Sequence, residues 1–98
     1  MLNDKEKAIK AISLIQNEFY RTINELKRPL FNSRHEAYGV IAEEFEEVKE
    51  AIFKDMSNQK LIEELTHLGA MALKALVSCC DLDEDLKICE EDKCKLKT

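Results

Sequence analysis

The sequence predicts an all-α fold: an antiparallel bundle of three long helices followed by a short C-terminal one. Three observations carry this. One proline and two glycines in 98 residues leave few turns, so the elements should be long. Apolar side chains recur at steps of three and four. Strand-forming residues never alternate with polar ones over a useful run. Hydrophobic residues make up 45% of the chain and charged ones 36%, which suits a folded helical protein rather than a disordered one. Residues 1–98 read as a single domain, small enough that self-association would help to bury its core.

The first helix is expected from about Asp4 to Lys27. Asn3 is a natural N-cap, and Glu6, three residues later, completes a capping box. Ala8, Ile12, Ile15, Phe19, Ile23 and Leu26 trace one buried stripe. Pro29 stops the helix and Leu30-Phe31-Asn32 forms the connection. Ser33 caps the second helix, with Glu36 reaching back from its first turn. Tyr38, Ile41, Phe45, Val48 and Ile52 form its apolar stripe, and it ends near Asp55 or Met56. The turn Ser57-Asn58-Gln59 is short, so the next helix should pack antiparallel. That third helix carries Leu61, Leu65, Leu68, Ala72 and Leu76 and runs to about Cys79. Asp81 then caps a short fourth helix with Leu82, Leu86 and Cys89, and residues 90–98 form a frayed tail. Gly39 and Gly69 both fall inside helices, where each costs about 1 kcal/mol relative to alanine. At Gly69 the expected reason is a tight helix crossing.

A net charge of −5 argues against a nucleic-acid groove, which needs clustered Lys and Arg. A small phosphorylated ligand stays open, because a metal ion reverses the local field. The charged N-terminus has no apolar core of a signal peptide. The longest apolar stretch, Leu65 to Cys80, is interrupted by His67 and Lys74 and is too short for a bilayer. A cytoplasmic protein without membrane contact is therefore expected, with Cys79, Cys80, Cys89 and Cys94 as reduced thiols. Their spacing matches no familiar zinc pattern, although a tetrathiolate site is an alternative to ordinary small hydrophobes.

Helix two holds five glutamates in eight residues: Glu43, Glu44, Glu46, Glu47 and Glu50. Such a run alone is adequately explained as a solvated acidic face. Its register says more. Val40, Glu44, Glu47 and Ala51 form a row beside the apolar stripe, which puts Glu44 and Glu47 at the edge of the buried face. On helix three, Lys60, Glu64, His67, Met71, Lys74 and Ser78 form a matching row. Antiparallel packing would bring Glu44, Glu47, Glu64 and His67 together. Converging carboxylates need a counter-charge, and Mg²⁺ or Mn²⁺ supplies it.

Glu43-Glu44-x-x-Glu47, sixteen intervening residues, then Glu64-x-x-His67 resembles the EExxE…ExxD signature of the MazG-like all-α nucleoside triphosphate pyrophosphohydrolases. The stretch from His35-Glu36-Ala37-Tyr38-Gly39 to Leu68-Gly69-Ala70-Met71-Ala72 is similar to the small phage and bacterial members, and the likeness covers residues 33–80, about half the chain. It implies cleavage of an NTP or dNTP to a monophosphate and pyrophosphate. It also implies Mg²⁺ or Mn²⁺ on Glu44, Glu47 and Glu64, a glutamate such as Glu43 or Glu46 to orient the attacking water, and a homodimer or homotetramer. The catalytic set it implies is Glu43, Glu44 and Glu47. Where the family has Asp, this chain has His67, a poor ligand for Mg²⁺ but a good one for later ions. A contact with phosphate, direct ligation and a silent core-edge role are all open to it. Lys74, Arg34 and His35 are candidate phosphate contacts, and Lys74 and Arg34 read equally as a snorkelling lysine and a surface charge. Tyr38 and Phe45 are candidate base-stacking residues that read more simply as core. The alternatives to an enzyme are a non-catalytic nucleotide- or metal-binding protein, favoured by His67, and a helical oligomerisation module whose glutamates are merely solvated.

Overall fold

The computed structural model describes residues 1–26 and 30–83. It contains α1 (Asp4–Asn24), α2 (Arg34–Phe53) and α3 (Asn58–Cys79), with no strand among the described residues. Each start is set by its cap. Asn3 Oδ1 accepts from Glu6 N at 2.8 Å while Asn3 N donates to Glu6 Oε1 at 3.0 Å, the reciprocal box expected. Ser33 Oγ accepts from Glu36 N at 3.0 Å, but the Glu36 carboxylate reaches one residue further back, to Asn32 N at 2.8 Å. Ser57, expected in a turn, is the N-cap of α3 and accepts from Lys60 N. The reversal lies just before it, at Asp55, which adopts φ 52°. The fourth helix and tail expected after Asp81 lie outside the described residues except for irregular 81–83, as do Lys27, Pro29, Cys89 and Cys94.

Helix α3 is the centre of the molecule, packing against α1 and α2, which do not approach each other. The α2–α3 pair is antiparallel, as its short turn requires: Arg34 Nε donates to Cys79 O at 3.3 Å, and the Cys79 thiol donates to Ser33 O at 3.6 Å. The core is small, comprising Phe19, Phe31, Ala37, Ala70 and Met71, flanked by Ile23, Val40, Ile41 and Leu73. Phe31, read from sequence as part of a connection, is a core residue. No described helix is long and apolar enough to cross a membrane.

The expected stripes are only partly buried. On α2, Tyr38 is 75% exposed, Phe45 57% and Ile52 54%. On α3, Leu65 and Leu76 are also exposed, as are Ala8 and Ile12 on α1 and Leu26, which the helix, ending at Asn24, does not reach. The reason is a rotation of register. Helix α2 turns Ala37, Val48 and Ala51 inward with Glu44 half-buried beside them, and α3 turns Glu64, Met71 and Lys74 inward, so part of each charged row lies at the seam. Ile41 and Val48 of the expected α2 stripe stay inward, while Tyr38, Phe45 and Ile52 face outward. The Cα radius of gyration, 15.3 Å, exceeds the ~13 Å typical of a compact chain of this length, in keeping with α1 and α2 packing on α3 without meeting each other.

The glycines separate cleanly. A Cβ at Gly69 would lie 2.7 Å from Ile15 Cδ1 and 2.9 Å from Ile15 Cγ1, so this glycine seats α1 directly on α3. A Cβ at Gly39 would meet nothing within 4 Å. Gly39→Ala should therefore raise stability by about 0.5–1 kcal/mol through helix propensity alone. Gly69→Ala has the same gain but must displace Ile15, and a net loss of about 1–2 kcal/mol is expected. Thermal melts followed by circular dichroism check both signs.

Candidate metal centre

Rotating the charged rows inward concentrates carboxylates where α2 meets α3. One ligand atom each from Glu44, Glu47 and His67 lies within 4.8 Å of the others, the spacing a single cation spans. Glu64 stands beside them at 5% exposure, with Oε1 3.4 Å from His67 Nδ1 and 3.9 Å from Lys60 Nζ. Glu47 stands close enough to Glu44 and Glu64 for its charge to oppose ionisation of both. Glu44 Oε2 is sealed from solvent and has no hydrogen-bond partner. A carboxylate oxygen without water or donor is costly, and such a group in a native fold needs a reason.

The electrostatics follow from this crowding. Burial pushes the Glu44 carboxyl above the ordinary carboxylate range, the neighbouring Glu47 adds to the push, and His67 offsets part of it. Burial also raises Glu64, again reinforced by Glu47 and opposed by Lys60 and His67. The site thus disfavours its own negative charge until a cation arrives.

A cleft of ≈ 420 Å³ opens beside the cluster, lined by Glu47, Glu50, Met56, Lys60, Glu64 and His67. That volume suits a small organic ligand. The donor set of two carboxylates and one imidazole fits a divalent ion that accepts mixed nitrogen and oxygen ligation, such as Mn²⁺.

The other residues singled out from sequence are placed elsewhere. Glu43 and Glu46 are exposed, and neither contributes to the converging ligand atoms. Arg34 turns towards the end of α3, and His35 beside it is exposed. Both sit about 15 Å along α2 from Glu44. Lys74 is 3% exposed, with Nζ 5.1 Å from the centroid of the Phe31 ring, a buried cation–π contact rather than a snorkelling lysine. Two residues beside the site carry no signal in the sequence. Lys60 stands in the same α3 row as Glu64 and His67, where it reads as an ordinary helix lysine. Glu18 on α1 lies 3.7 Å from His67 Nε2 through its Oε2, and no periodicity in the sequence could pair those two helices. Comparison with protein-family models, with curated proteins and with solved structures gives no match.

Proposed function

We propose that this chain is a metal-dependent nucleoside triphosphate pyrophosphohydrolase of the MazG-like all-α type, cleaving an NTP or dNTP to a monophosphate and pyrophosphate. One observation carries the reading: the sealed, unpartnered Oε2 of Glu44 in a cluster with Glu47 and His67. Glu44, Glu47 and His67 would hold Mn²⁺ or Mg²⁺, with Glu64 close behind them. When bound, the ion neutralises triphosphate charge and polarises the phosphoryl group. Lys60, on the cleft wall, meets a phosphate oxygen. Glu47, exposed to the cleft and flanked by half-buried Glu44 and buried Glu64, would ligate through one oxygen and with the other orient the attacking water and take its proton.

Pyrophosphate release from a panel of NTPs and dNTPs, with Mg²⁺ or Mn²⁺ and beside calorimetric binding, tests this. Turnover that falls by roughly 10³-fold in Glu47→Ala is the expected result. Binding without turnover would support a second reading, a non-catalytic nucleotide- or metal-binding protein. The placement of an imidazole where the resembling family has a carboxylate favours that reading. Neither binding nor turnover would leave a helical oligomerisation module.

Self-association belongs to the same proposal. Tyr38, Phe45, Ile52 and Phe53 crowd one exposed helix, and a chain of 98 residues seldom leaves so many large apolar groups in water. Light scattering at micromolar concentration should give two or four times 11.3 kDa, and the mass of a single chain would remove this part of the proposal.

A further inference from the structure

His67 has a carboxylate opposite each ring nitrogen. Nδ1 faces Glu64 Oε1 at 3.4 Å, on the side where Glu64 approaches Glu47. Nε2 faces Glu18 Oε2 at 3.7 Å, across the junction of α1 with α3. Glu18 is itself held: Arg21 Nε donates to its Oε1 at 2.9 Å and Arg21 Nη2 to its Oε2 at 2.8 Å, a bidentate fork that fixes the carboxylate plane. One turn earlier, Ile15 sits against Gly69, which fixes how closely α1 rides on α3 beside His67. Thus α1, remote from the acidic run, presents one oriented carboxylate to the one nitrogen ligand of the cluster.

We propose that Glu18 is a positioning residue for metal ligation: it accepts the Nε2–H of His67 and so presents the Nδ1 lone pair on the opposite side of the ring, where Glu64 Oε1 stands beside the Glu44–Glu47 cluster. The inference rests on the metal-site reading and deepens it. A ligating imidazole needs its second nitrogen protonated and anchored, because a carboxylate there fixes the tautomer, limits ring rotation and increases the basicity of the ligating nitrogen. The present Nε2–Oε2 separation of 3.7 Å is longer than a full hydrogen bond, so the inference requires the two atoms to draw closer.

Two measurements test this. Long-range ¹H–¹⁵N spectra of the metal-free protein near pH 8.5, where an ordinary imidazole is neutral, report the His67 tautomer, with His67→Gln separating its signals from those of His35. Calorimetry with Mn²⁺ alone reports affinity. The wild-type chain should show the Nε2–H tautomer. Glu18→Ala should show a tautomer mixture and bind Mn²⁺ about 10–100-fold more weakly, while Glu18→Gln, which keeps an acceptor oxygen, recovers the tautomer and much of the affinity. Retained tautomer and affinity in Glu18→Ala would overturn the inference and leave the metal site standing. Absence of Mn²⁺ binding by the wild-type chain would overturn the metal reading and this inference with it. If Glu18→Ala fails to fold, Glu18→Gln carries the test: retained tautomer and affinity support the inference, and loss of both with an unchanged circular dichroism spectrum and melt overturns it.

Discussion

Glu44→Gln should melt roughly 4–8 °C higher than the wild-type chain when both are free of metal near pH 8, and should lose the further rise that Mn²⁺ gives the wild type. The substitution keeps the side-chain shape and removes a charge that burial and Glu47 both oppose. It also supplies an N–H that can donate to Glu47. Replacing a crowded, partly enclosed carboxylate in this way is worth about 1 kcal/mol, a modest value because Glu44 keeps some contact with water. The pH dependence has the same origin. Glu44 and Glu64 titrate higher in the folded chain than their ordinary value of 4.5, so folding takes up protons. Metal-free stability should therefore fall as pH rises from about that value through the raised ones, and Glu44→Gln should flatten the fall. Added Mn²⁺ should reverse the order of the two proteins, since an ion at a hundred times its Kd contributes about 2.7 kcal/mol. A Glu44→Gln protein that melts lower without metal, yet still gains from Mn²⁺, would remove Glu44 from the site.

His67→Asp should convert a site selective for Mn²⁺ into one that accepts Mg²⁺. Imidazole is a borderline donor that Mg²⁺ tolerates poorly, and two carboxylates plus a nitrogen leave that ion short of hard oxygen ligands. In the wild type, affinity for Mn²⁺ should exceed that for Mg²⁺ by on the order of 10-fold or more. In His67→Asp the ratio should fall several-fold. If the chain is an enzyme, Mg²⁺-supported pyrophosphate release should rise in parallel. Calorimetry with each ion on both proteins checks the ratio, and an unchanged ratio would mean that His67 does not ligate.

Local signals in the sequence specify the helix starts. The Asn3–Glu6 box, the Ser33 cap and the ends of α2 and α3 depend on residues within four of one another, and each is found within a few residues of its expected place. The crossing at Gly69 was also legible, because a glycine in a helix interior needs a reason. Which row faces inward was not. Periodicity identifies a stripe of Tyr38, Phe45 and Ile52 but cannot say whether its partner lies in the same chain. The convergence of Glu44, Glu47 and His67 followed from the short turn between α2 and α3, a local feature. Glu18 and Phe31 reach their places only through contacts between helices, and nothing in their neighbours announces them.

On the proposed reading, a helical hairpin with Glu44 and Glu64 turned towards its seam and Tyr38, Phe45 and Phe53 left in water would draw part of its stability from outside itself. Its folding equilibrium would then depend on two external variables, the activity of free cation and the concentration of the chain. The two would be thermodynamically linked, since whatever loads the inner row would favour the helix pairing that displays the outer one, and association would tighten loading in turn.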